Sequence, residues 1–404
     1  MCDSPQLEPV IFVGYLPPVN TMPAIGSRPA EQPAYPAQVL RCLKCQLVQL
    51  GLIVDPAILF PPTYPYTSGT TRILRENFAE LYREVQSLYP LTPQDLVVDI
   101  GSNDGTLLSN FQNGGHRVFG IEPTNAAKLA NARGIPTTIS FFNRAAAEKA
   151  RSDHGQAKII TATNVFAHIE DVHEIVESIL ELLQDDGIFI SESHYFMSLV
   201  ETLQYDTIYH EHLRYYTLTS LKYLLDMHGL EVIHARRIPT HGGSIRVYAS
   251  RKGKHKVQES VAPVLSAEAS AITVANLQRF RAQVVKSKLG LHALLSAIKG
   301  ADHKIYGVGA PSRASTLVNY VGLDDGILDC VVEIKGSYKI GKYMPGTLVP
   351  VLEESKLYAD QPEYALLLSW HIADELISNL AAKGYRGKFI VPLPTPKVIS
   401  PARA

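Results

Sequence analysis

A buried strand that runs into a glycine turn and then into a helix constrains this chain more than any other feature. Leu96–Ile100 is apolar apart from one aspartate, Gly101 and Gly105 bound the turn that follows, and Leu107 begins an apolar helical segment. Glycines let a backbone approach a ligand more closely than other residues allow. Open α/β sheets bind their ligands at the carboxyl ends of such strands. The segment therefore predicts a ligand-binding turn at the edge of a sheet.

Short apolar strands alternate with helical segments after this turn. The predicted strands are residues 96–100, 118–121, 159–163 and 187–192, and the clearest helix is 172–183. This alternation predicts a parallel, doubly wound α/β sheet. Residues 229–236 and 244–250 follow with only a short link between them, which predicts an antiparallel pair that closes the sheet.

The length of 404 residues exceeds what one hydrophobic core usually supports, and three parts differ in character. Residues 1–70 are rich in proline and predict a small, loop-rich, cysteine-containing module. Residues 71–253 begin with a helix that ends before Pro90 and contain the predicted sheet. Residues 254–404 contain a helical bridge, a second strand-turn-helix at 305–313, and further strands at 328–332 and 364–369. We predict three domains with these limits.

The composition is typical of a globular protein with a small-molecule ligand. With 46% hydrophobic residues, 19% charged residues and a formal net charge of -1, no basic surface for nucleic acid is expected. No apolar run reaches the roughly 18 residues of a membrane span, and residues 1–5 lack the features of a signal peptide. We expect a cytoplasmic monomer or weak dimer, without a membrane or nucleic-acid partner.

Carboxylates around the glycine turn indicate the kind of cofactor. Asp99 and Asp104 would repel a pyrophosphate, whereas a cationic cofactor that bears an amino acid, such as S-adenosylmethionine, suits them. Glu122 ends the next strand, 17 residues after Gly105, where its carboxylate can accept both hydroxyls of a ribose. The predicted cofactor-binding residues of this segment are Asp99, Gly101, Asn103, Asp104, Gly105 and Glu122.

A later strand also ends in polar residues at the same predicted edge. Asn164 and His168 follow the strand at 159–163 and are further candidates for the cofactor pocket. Asn164 has an alternative structural interpretation, because asparagine often caps a turn. His194 and Tyr195 follow the next strand and reach the same edge.

Motifs along almost the whole chain resemble those of the three-domain sugar C-methyltransferases. They are the cysteine-bearing start, the cofactor turn, and the segments 64–69, 192–195, 209–212, 241–246, 307–312 and 342–346. The resemblance implies a zinc-binding N-terminal module, a class I methyltransferase domain with a Rossmann-like sheet, and a C-terminal α/β domain. It also implies S-adenosylmethionine as cofactor and a nucleotide-linked deoxysugar as substrate. Glu333 and His371 replace the aspartate and asparagine that are common in this family, which leaves the sugar and the nucleotide undefined.

The family holds a structural zinc ion with two pairs of cysteines. Cys42 and Cys45 match the second pair, and Cys2 matches one member of the first. The fourth ligand is expected either before Met1 or from a residue other than cysteine, because structural zinc sites are tetrahedral. Cys330 lies in a predicted strand, where a small buried hydrophobic role is expected.

Methylation of carbon beside a ketone needs a base that forms an enolate and a donor that stabilises its oxygen. The Tyr-His-Glu-His motif at 209–212 supplies these residue types, and the resemblance carries the family's Glu-His pair onto Glu211 and His212. We predict His212 as the base, with Glu211 supporting it and Tyr209 or His210 at the oxyanion. If this segment is extended, His210 and His212 share one face. The other predicted substrate-site residues are Tyr64, Tyr66 and His241.

Two other functions fit parts of the sequence. Gly307, Gly309 and Ser312 follow a strand, and Glu333 lies about 20 residues on, as in nicotinamide-dependent oxidoreductases. Ser312 replaces the third glycine of that fingerprint, and the same helix start, with Arg313, can instead hold a substrate diphosphate. The second alternative is a non-catalytic zinc-bearing protein with a degenerate methyltransferase fold.

Overall fold

The computed structural model describes residues 1–60, 69 and 71–400. Tyr64 and Tyr66, which the sequence assigned to the substrate site, lie outside these residues. The described part contains one sheet of four strands and two sheets of seven strands. No helix within these ranges is both long and apolar enough to cross a membrane.

The N-terminal module is built on an antiparallel sheet, whereas the sequence predicted a loop-rich module. Its elements and the helix that follows it are β1 (Leu7–Leu16), β2 (Tyr35–Cys42), β3 (Val48–Leu50), α1 (Pro56–Leu59) and α2 (Arg72–Leu88). The prolines caused this error. Pro9 lies inside β1, but a register shift directly follows it, so the missing proline N–H interrupts a ladder that is already irregular.

The central domain forms a doubly wound sheet that continues into helix α9. Its elements are β4 (Leu96–Ile100), α3 (Thr106–Asn113), β5 (Arg117–Ile121), α4 (Ala126–Ala132), β6 (Thr137–Thr138), α5 (Arg144–His154), β7 (Ala157–Thr163), α6 (Val172–Leu182), β8 (Leu183–His194), α7 (Phe196–Glu201), β9 (Arg214–Tyr215), α8 (Leu218–Met227), β10 (Leu230–Ile238), β11 (Ser244–Arg251) and α9 (Val261–Ala271). Short 3-10 helices occupy Phe166–His168, Tyr205–Thr207 and Thr240–Gly242. The strand order is β10-β11-β8-β7-β4-β5-β6, and only β11 runs against its neighbours. The predicted parallel sheet with a closing antiparallel pair is confirmed.

The tail forms a second seven-stranded sheet after a long helix. Its elements are α10 (Val274–Lys299), β12 (Ile305–Val308), α11 (Ser312–Val321), β13 (Cys330–Glu333), β14 (Lys342–Tyr343), β15 (Pro350–Glu353), α12 (Ser355–Asp360), β16 (Tyr364–Leu367), α13 (Ala373–Ala382), β17 (Lys388–Val391) and β18 (Lys397–Ile399). A 3-10 turn at Trp370–Ile372 follows β16. The order is β14-β15-β13-β12-β16-β17-β18, with the two outer strands antiparallel to their neighbours.

The two helices between the sheets pack on different cores. Val261 of α9 belongs to the apolar core of the central domain, and Glu268 of the same helix is buried there against Tyr195 and α8. Leu277 and Leu291 of α10 pack instead with the tail sheet and with β1 and β2. The domain limits at residues 70 and 253 remain a proposal, and the helix that follows residue 253 packs with the central domain.

The N-terminal sheet takes its fourth strand from the central domain. β9 pairs with β3 in antiparallel register, Val48 opposite Tyr215 and Gln49 opposite Arg214. The segment between the 3-10 turn Tyr205–Thr207 and β9 contains the Tyr-His-Glu-His motif. The motif therefore lies where the N-terminal module joins the central domain.

A buried arginine fixes α2 to the central sheet. Arg246 in β11 is fully buried and donates to the carboxylates of Glu192 and Glu84, and to Asn77 Oδ1 at 3.0 Å. Asn77 Nδ2 in turn donates to Glu192 at 2.9 Å. A buried ion pair is tolerated because each charge finds a partner, and removing one partner leaves the others uncompensated.

Candidate active site

The turn after β4 has the backbone geometry that its glycines predict. Gly101, Asn103 and Gly105 have positive φ angles of 68°, 51° and 76°. A Cβ atom on Gly101 would lie 2.4 Å from Cγ2 of Val165, so the turn packs closely against the segment after β7. Gly101 is therefore required by backbone conformation and by packing with the protein, in addition to any ligand.

Glu122 lies directly against this turn. Its carboxylate accepts the Asn103 N–H at 3.0 Å and the Thr124 N–H at 2.8 Å, and the residue is buried. The predicted association of the glycine turn with the acid at the end of β5 is thus present in the fold. Turn and carboxylate together can hold a ligand that has a ribose.

Asp99 and Asp104 are both buried, in different surroundings. Asp99 accepts a hydrogen bond from Thr161 Oγ1 at 2.6 Å. Burial, together with the charges of Glu122 and Glu192, raises the pKa of Asp99 to about 8. A cation of a bound cofactor would favour the ionised form of this side chain.

The Asp104 carboxylate is engaged in local contacts of the turn. It accepts from Thr106 Oγ1 at 2.6 Å and from the Gly69 N–H at 3.1 Å, and it forms an ion pair with Arg133 at 3.1 Å. These contacts fix the start of α3 and the end of the segment that leads into α2. Asp104 therefore shapes the turn, whatever it contributes to a ligand.

Asn164 and His168 follow β7, and the backbone of Asn164 lies within hydrogen-bonding reach of the His168 ring. Asn164 has a φ angle of 58° and donates its backbone N–H to the Glu192 carbonyl at 2.8 Å, at the edge shared with β8. The His168 ring lies 5.1 Å from the His212 ring, and its Nδ1–H donates to the Glu211 carbonyl. The His168 ring thus contacts both the backbone of Asn164 and the 209–212 segment, and its assignment to the cofactor pocket stays a prediction.

Tyr209 and His212 lie on one side of a turn, not on an extended strand. The His212 N–H donates to the Tyr209 carbonyl at 3.0 Å, and the two rings are 4.1 Å apart. The His212 Nδ1 lies 2.9 Å from the Thr207 carbonyl. A carbonyl only accepts hydrogen bonds, so Nδ1 carries the proton and Nε2 of the neutral ring has a free lone pair. Burial, and then the charge of His168, lowers the pKa of His212 well below its usual range.

The turn directs the side chains of His210 and Glu211 toward the N-terminal module. His210 donates from Nε2 to the Pro36 carbonyl at 3.4 Å, and its ring meets the Tyr35 ring at 5.7 Å. Glu211 accepts from Asn20 Nδ2 at 2.7 Å. The alternation expected for an extended segment does not apply, and His210 contacts β2.

Three thiols of the N-terminal module meet at one point. The sulfur atoms of Cys2, Cys42 and Cys45 lie within 4.8 Å of one another, and those of Cys2 and Cys42 are 3.5 Å apart. Thiolates are preferred zinc ligands, so this cluster supplies three positions of a tetrahedral site. Cys330 is buried in β13, away from the cluster, as its predicted hydrophobic role requires.

Sequence reasoning missed two links to the site. Tyr338 of the tail donates its hydroxyl to Asn20 Oδ1 at 3.1 Å, so a chain of hydrogen bonds runs from the tail through the N-terminal module to Glu211. Arg313 forms a bidentate pair with Asp206, with both distances 2.8 Å. These residues are far apart in sequence and follow no periodic pattern, so only the folded chain brings them together.

Comparison with known proteins agrees with this geometry. Family models match along the chain: a zinc binding domain at residues 1–60, a methyltransferase domain at 73–235, and a C-methyltransferase C-terminal domain at 239–394. The chain is 33% identical over 373 residues to the C-methyltransferase NovU of Streptomyces niveus, covering 91% of this chain and 88% of that protein.

Solved structures resemble the chain only in part. The PH0226 protein from Pyrococcus horikoshii OT3 is 13% identical, with a TM-score of 0.37 over 49% of this chain and 97% of that chain. Magnesium protoporphyrin IX methyltransferase from Synechocystis PCC 6803, with bound S-adenosylmethionine, is 12% identical, with a TM-score of 0.34 over 44% and 79%. With the family models and the curated relative together, the chain belongs to the S-adenosylmethionine-dependent C-methyltransferases that carry an N-terminal zinc-binding domain.

Proposed function

We propose that the substrate is a nucleotide-linked keto-deoxysugar and that the methylated carbon lies next to its ketone. The motifs shared with sugar C-methyltransferases support this substrate class. The ketone explains how a protein can activate carbon, because removing the neighbouring proton gives an enolate whose charge is delocalised onto oxygen. When bound, S-adenosylmethionine supplies an electrophilic methyl group.

The fixed tautomer of His212 carries the proposal. Its Nδ1–H is held by the Thr207 carbonyl, and the low pKa keeps the ring neutral, so Nε2 can accept a proton from carbon. The ring is packed against Tyr209 at 4.1 Å and His168 at 5.1 Å, which restrict its orientation. A base held in one orientation is what efficient proton transfer requires.

Tyr209 is the proposed donor to the enolate oxygen. Burial, and then the charge of Glu211, raises the pKa of Tyr209 well above its usual range, so the hydroxyl keeps its proton at neutral pH. A protonated hydroxyl in a buried site stabilises a developing oxyanion more strongly than it would in water. His168 is neutral for the same reason as His212 and is the second candidate for either role.

Glu122 and the turn at 101–105 are the proposed cofactor-binding residues, with Asp99 near the cationic part. We infer this from the contact of Glu122 with the Asn103 N–H and from the burial of both acids. Because the proposed base lies outside this turn, cofactor affinity and proton abstraction are separable by mutation.

The first prediction concerns His212→Asn. Asparagine keeps an amide nitrogen near the position of Nδ1 but has no counterpart of Nε2, so the base is lost while the bond to Thr207 can persist. We expect turnover to fall roughly 10²- to 10⁴-fold with nearly unchanged affinity for S-adenosylmethionine. In heavy water with a 4-keto nucleotide sugar and S-adenosylhomocysteine, the wild type should incorporate deuterium beside the ketone and the variant should not.

His292→Asn, on the exposed face of α10, is the matched control and should behave as the wild type. Exchange without enzyme is subtracted. Wild-type turnover by the His212 variant would refute the assignment. Loss of exchange in His168→Asn, with exchange retained in His212→Asn, would instead identify His168 as the base.

A further inference from the structure

Three histidines at the carboxyl ends of strands from the two seven-stranded sheets lie close enough together to lower one another's pKa. His194 ends β8, His241 lies in the 3-10 turn between β10 and β11, and His371 lies in the turn after β16. Arg313, in the first turn of α11, forms an ion pair with Asp206 of the central domain and lies near these rings. Carboxyl edges of α/β sheets are where such folds bind ligands.

Each of these histidines has a buried ring nitrogen without a hydrogen-bond partner among residues 1–60, 69 and 71–400. The atoms are Nδ1 of His194, Nε2 of His241 and Nδ1 of His371. A buried polar atom without a partner costs about 1–3 kcal/mol, and three in one place are rare in folded proteins. His241 is also held at a φ angle of 56°, a conformation that costs free energy and is concentrated at functional sites. A ligand that forms hydrogen bonds with these nitrogen atoms explains both their lack of partners and the backbone conformation of His241.

The three rings are uncharged. Burial, and then the charge of Arg313, lowers the pKa of His194 and of His371 to about 3 and that of His241 to about 4. A neutral ring offers one N–H donor and one acceptor. The unpaired atoms therefore suit a neutral ligand that can both donate and accept.

Contacts of Gln204 fix which nitrogen of His194 is the acceptor. Gln204 Nε2 donates to the Gly242 carbonyl at 2.7 Å and to Thr202 Oγ1 at 2.6 Å, so its Oε1 is the side that accepts. This oxygen accepts from His194 Nε2 at 3.2 Å and from Arg313 at 3.2 Å. His194 Nδ1 is consequently an unpaired acceptor, and it would repel the oxygen of a phosphate.

We propose that His194, His241 and His371 form a subsite for a hydroxyl group of the substrate's sugar ring. The proposal rests on the proposed function, because it assumes that a sugar is bound beside His212. A hydroxyl donates to His194 Nδ1 and accepts from the N–H groups of His241 and His371, whereas a phosphate can only accept. His194 and His241 are also close enough to His212 to lower its pKa, which puts the subsite next to the base.

The test compares sugar nucleotides that differ by one hydroxyl. Thymidine diphosphate, its 4-keto-6-deoxyglucose derivative, and the 2-deoxy and 3-deoxy analogues of that derivative are titrated calorimetrically into the wild type, His371→Leu and His371→Asn. Leucine removes the ring nitrogen, and asparagine returns an amide nitrogen near the position of Nδ1. His292→Leu is the surface control, and affinity for S-adenosylmethionine checks that each variant is folded.

We expect His371→Leu to weaken binding of the fully hydroxylated sugar nucleotide about 10- to 100-fold, and His371→Asn to restore most of it. One deoxy analogue should be insensitive to the substitution, and thymidine diphosphate alone should bind all variants equally. Equal weakening for thymidine diphosphate would overturn the proposal in favour of a phosphate site. Equal binding of all sugar nucleotides by the wild type and His371→Leu, or binding of none, would also overturn it.

The same proteins distinguish this proposal from the proposed function. Hydroxyl-dependent binding that requires His371, without methyl transfer to any keto sugar, would leave the subsite standing and refute the reaction. Methyl transfer that depends neither on the hydroxyl nor on His371 would support the reaction and refute the subsite.

Discussion

The central sheet and the tail sheet share one design but use it differently. In both, a parallel strand at the centre runs into a glycine turn, and the acid at the end of the adjacent strand accepts a backbone N–H of that turn. Glu122 accepts from Asn103 at 3.0 Å, and Glu333 accepts from Ala310 at 2.8 Å. The neighbours of the turns differ. Turn-plus-acid geometry therefore identifies a fold, and the surrounding side chains decide what the turn binds.

Side chains of the protein engage the tail turn. Lys339 donates to the Ala310 carbonyl, and Arg313 is drawn away to Asp206. A Cβ atom on Gly309 would lie 2.8 Å from Ser369 Oγ. The oxidoreductase interpretation depended on this turn alone, and the family membership of the whole chain excludes it as the main activity. The tail turn instead joins two domains.

The largest expected effect is on the free energy of unfolding. It tests whether the buried Arg246 network anchors α2 to the central sheet. Arg246→Met fills the same volume but leaves Glu192 and Glu84 buried without their cation, so we expect unfolding to require about 3–5 kcal/mol less free energy. Urea denaturation measures this difference. Arg72→Met, in the exposed part of α2, is the control. A loss below about 1 kcal/mol, typical of an exposed pair, would show that the network is not the anchor.

The next largest effect is on cofactor affinity and concerns Glu122 and Glu333, the acids that contact the two glycine turns. Glu122→Ala should weaken binding of S-adenosylmethionine by roughly 1.5–3 kcal/mol, the range for hydrogen bonds to a charged group. Glu333→Ala should leave that affinity unchanged, because its turn belongs to the other sheet. Calorimetry with S-adenosylmethionine measures both. Equal losses of S-adenosylmethionine affinity in the two variants would contradict a functional difference between the two sheets.

Acid should destabilise the central sheet through Glu84. Burial alone would raise its pKa, but hydrogen bonds from His234 and Tyr248 and the charge of Arg246 outweigh burial and lower the pKa from 4.5 to about 2. Because the folded pKa is below the unfolded value, this stabilisation is present above pH 4.5 and is lost as the pH falls toward 2. Urea midpoints across this range should decline less steeply in Glu84→Gln than in the wild type. Parallel slopes would contradict the assignment.

The smallest expected effect concerns the contact of the tail with the 209–212 turn. Asn20→Ala removes the link between Tyr338 and Glu211. Because this link acts on the proposed base only through Glu211, we expect kcat to fall by only about 3- to 10-fold, the range of a typical net hydrogen bond. Affinity for S-adenosylmethionine should not change. Arg28→Gln, in the exposed part of the same loop, is the control. A fall confined to protein stability would assign Asn20 a structural role only.

The contact of the glycine turn with Glu122, at the proposed cofactor site, could be predicted because its parts are local. β4, its turn and Glu122 lie within 30 residues, and each follows from a strand ending in glycine or in an acid. The contacts of the proposed substrate site could not. His168 and His212 meet through tertiary packing, and Glu211 accepts from Asn20, which Tyr338 of the tail contacts in turn. β1 was missed because prolines suggested loops, although one lies at an irregularity that accommodates it.

The strand shared between the N-terminal module and the central domain bears on how such proteins can be recombined. β9 follows directly from the 209–212 turn and completes the sheet that contains β3. A chimaera that exchanges only the first 70 residues with a relative would pair a foreign β3 with Arg214 and Tyr215, and would alter the backbone that leads out of the 209–212 turn. A graft of the N-terminal module must therefore carry both β3 and β9, which come from distant parts of the chain.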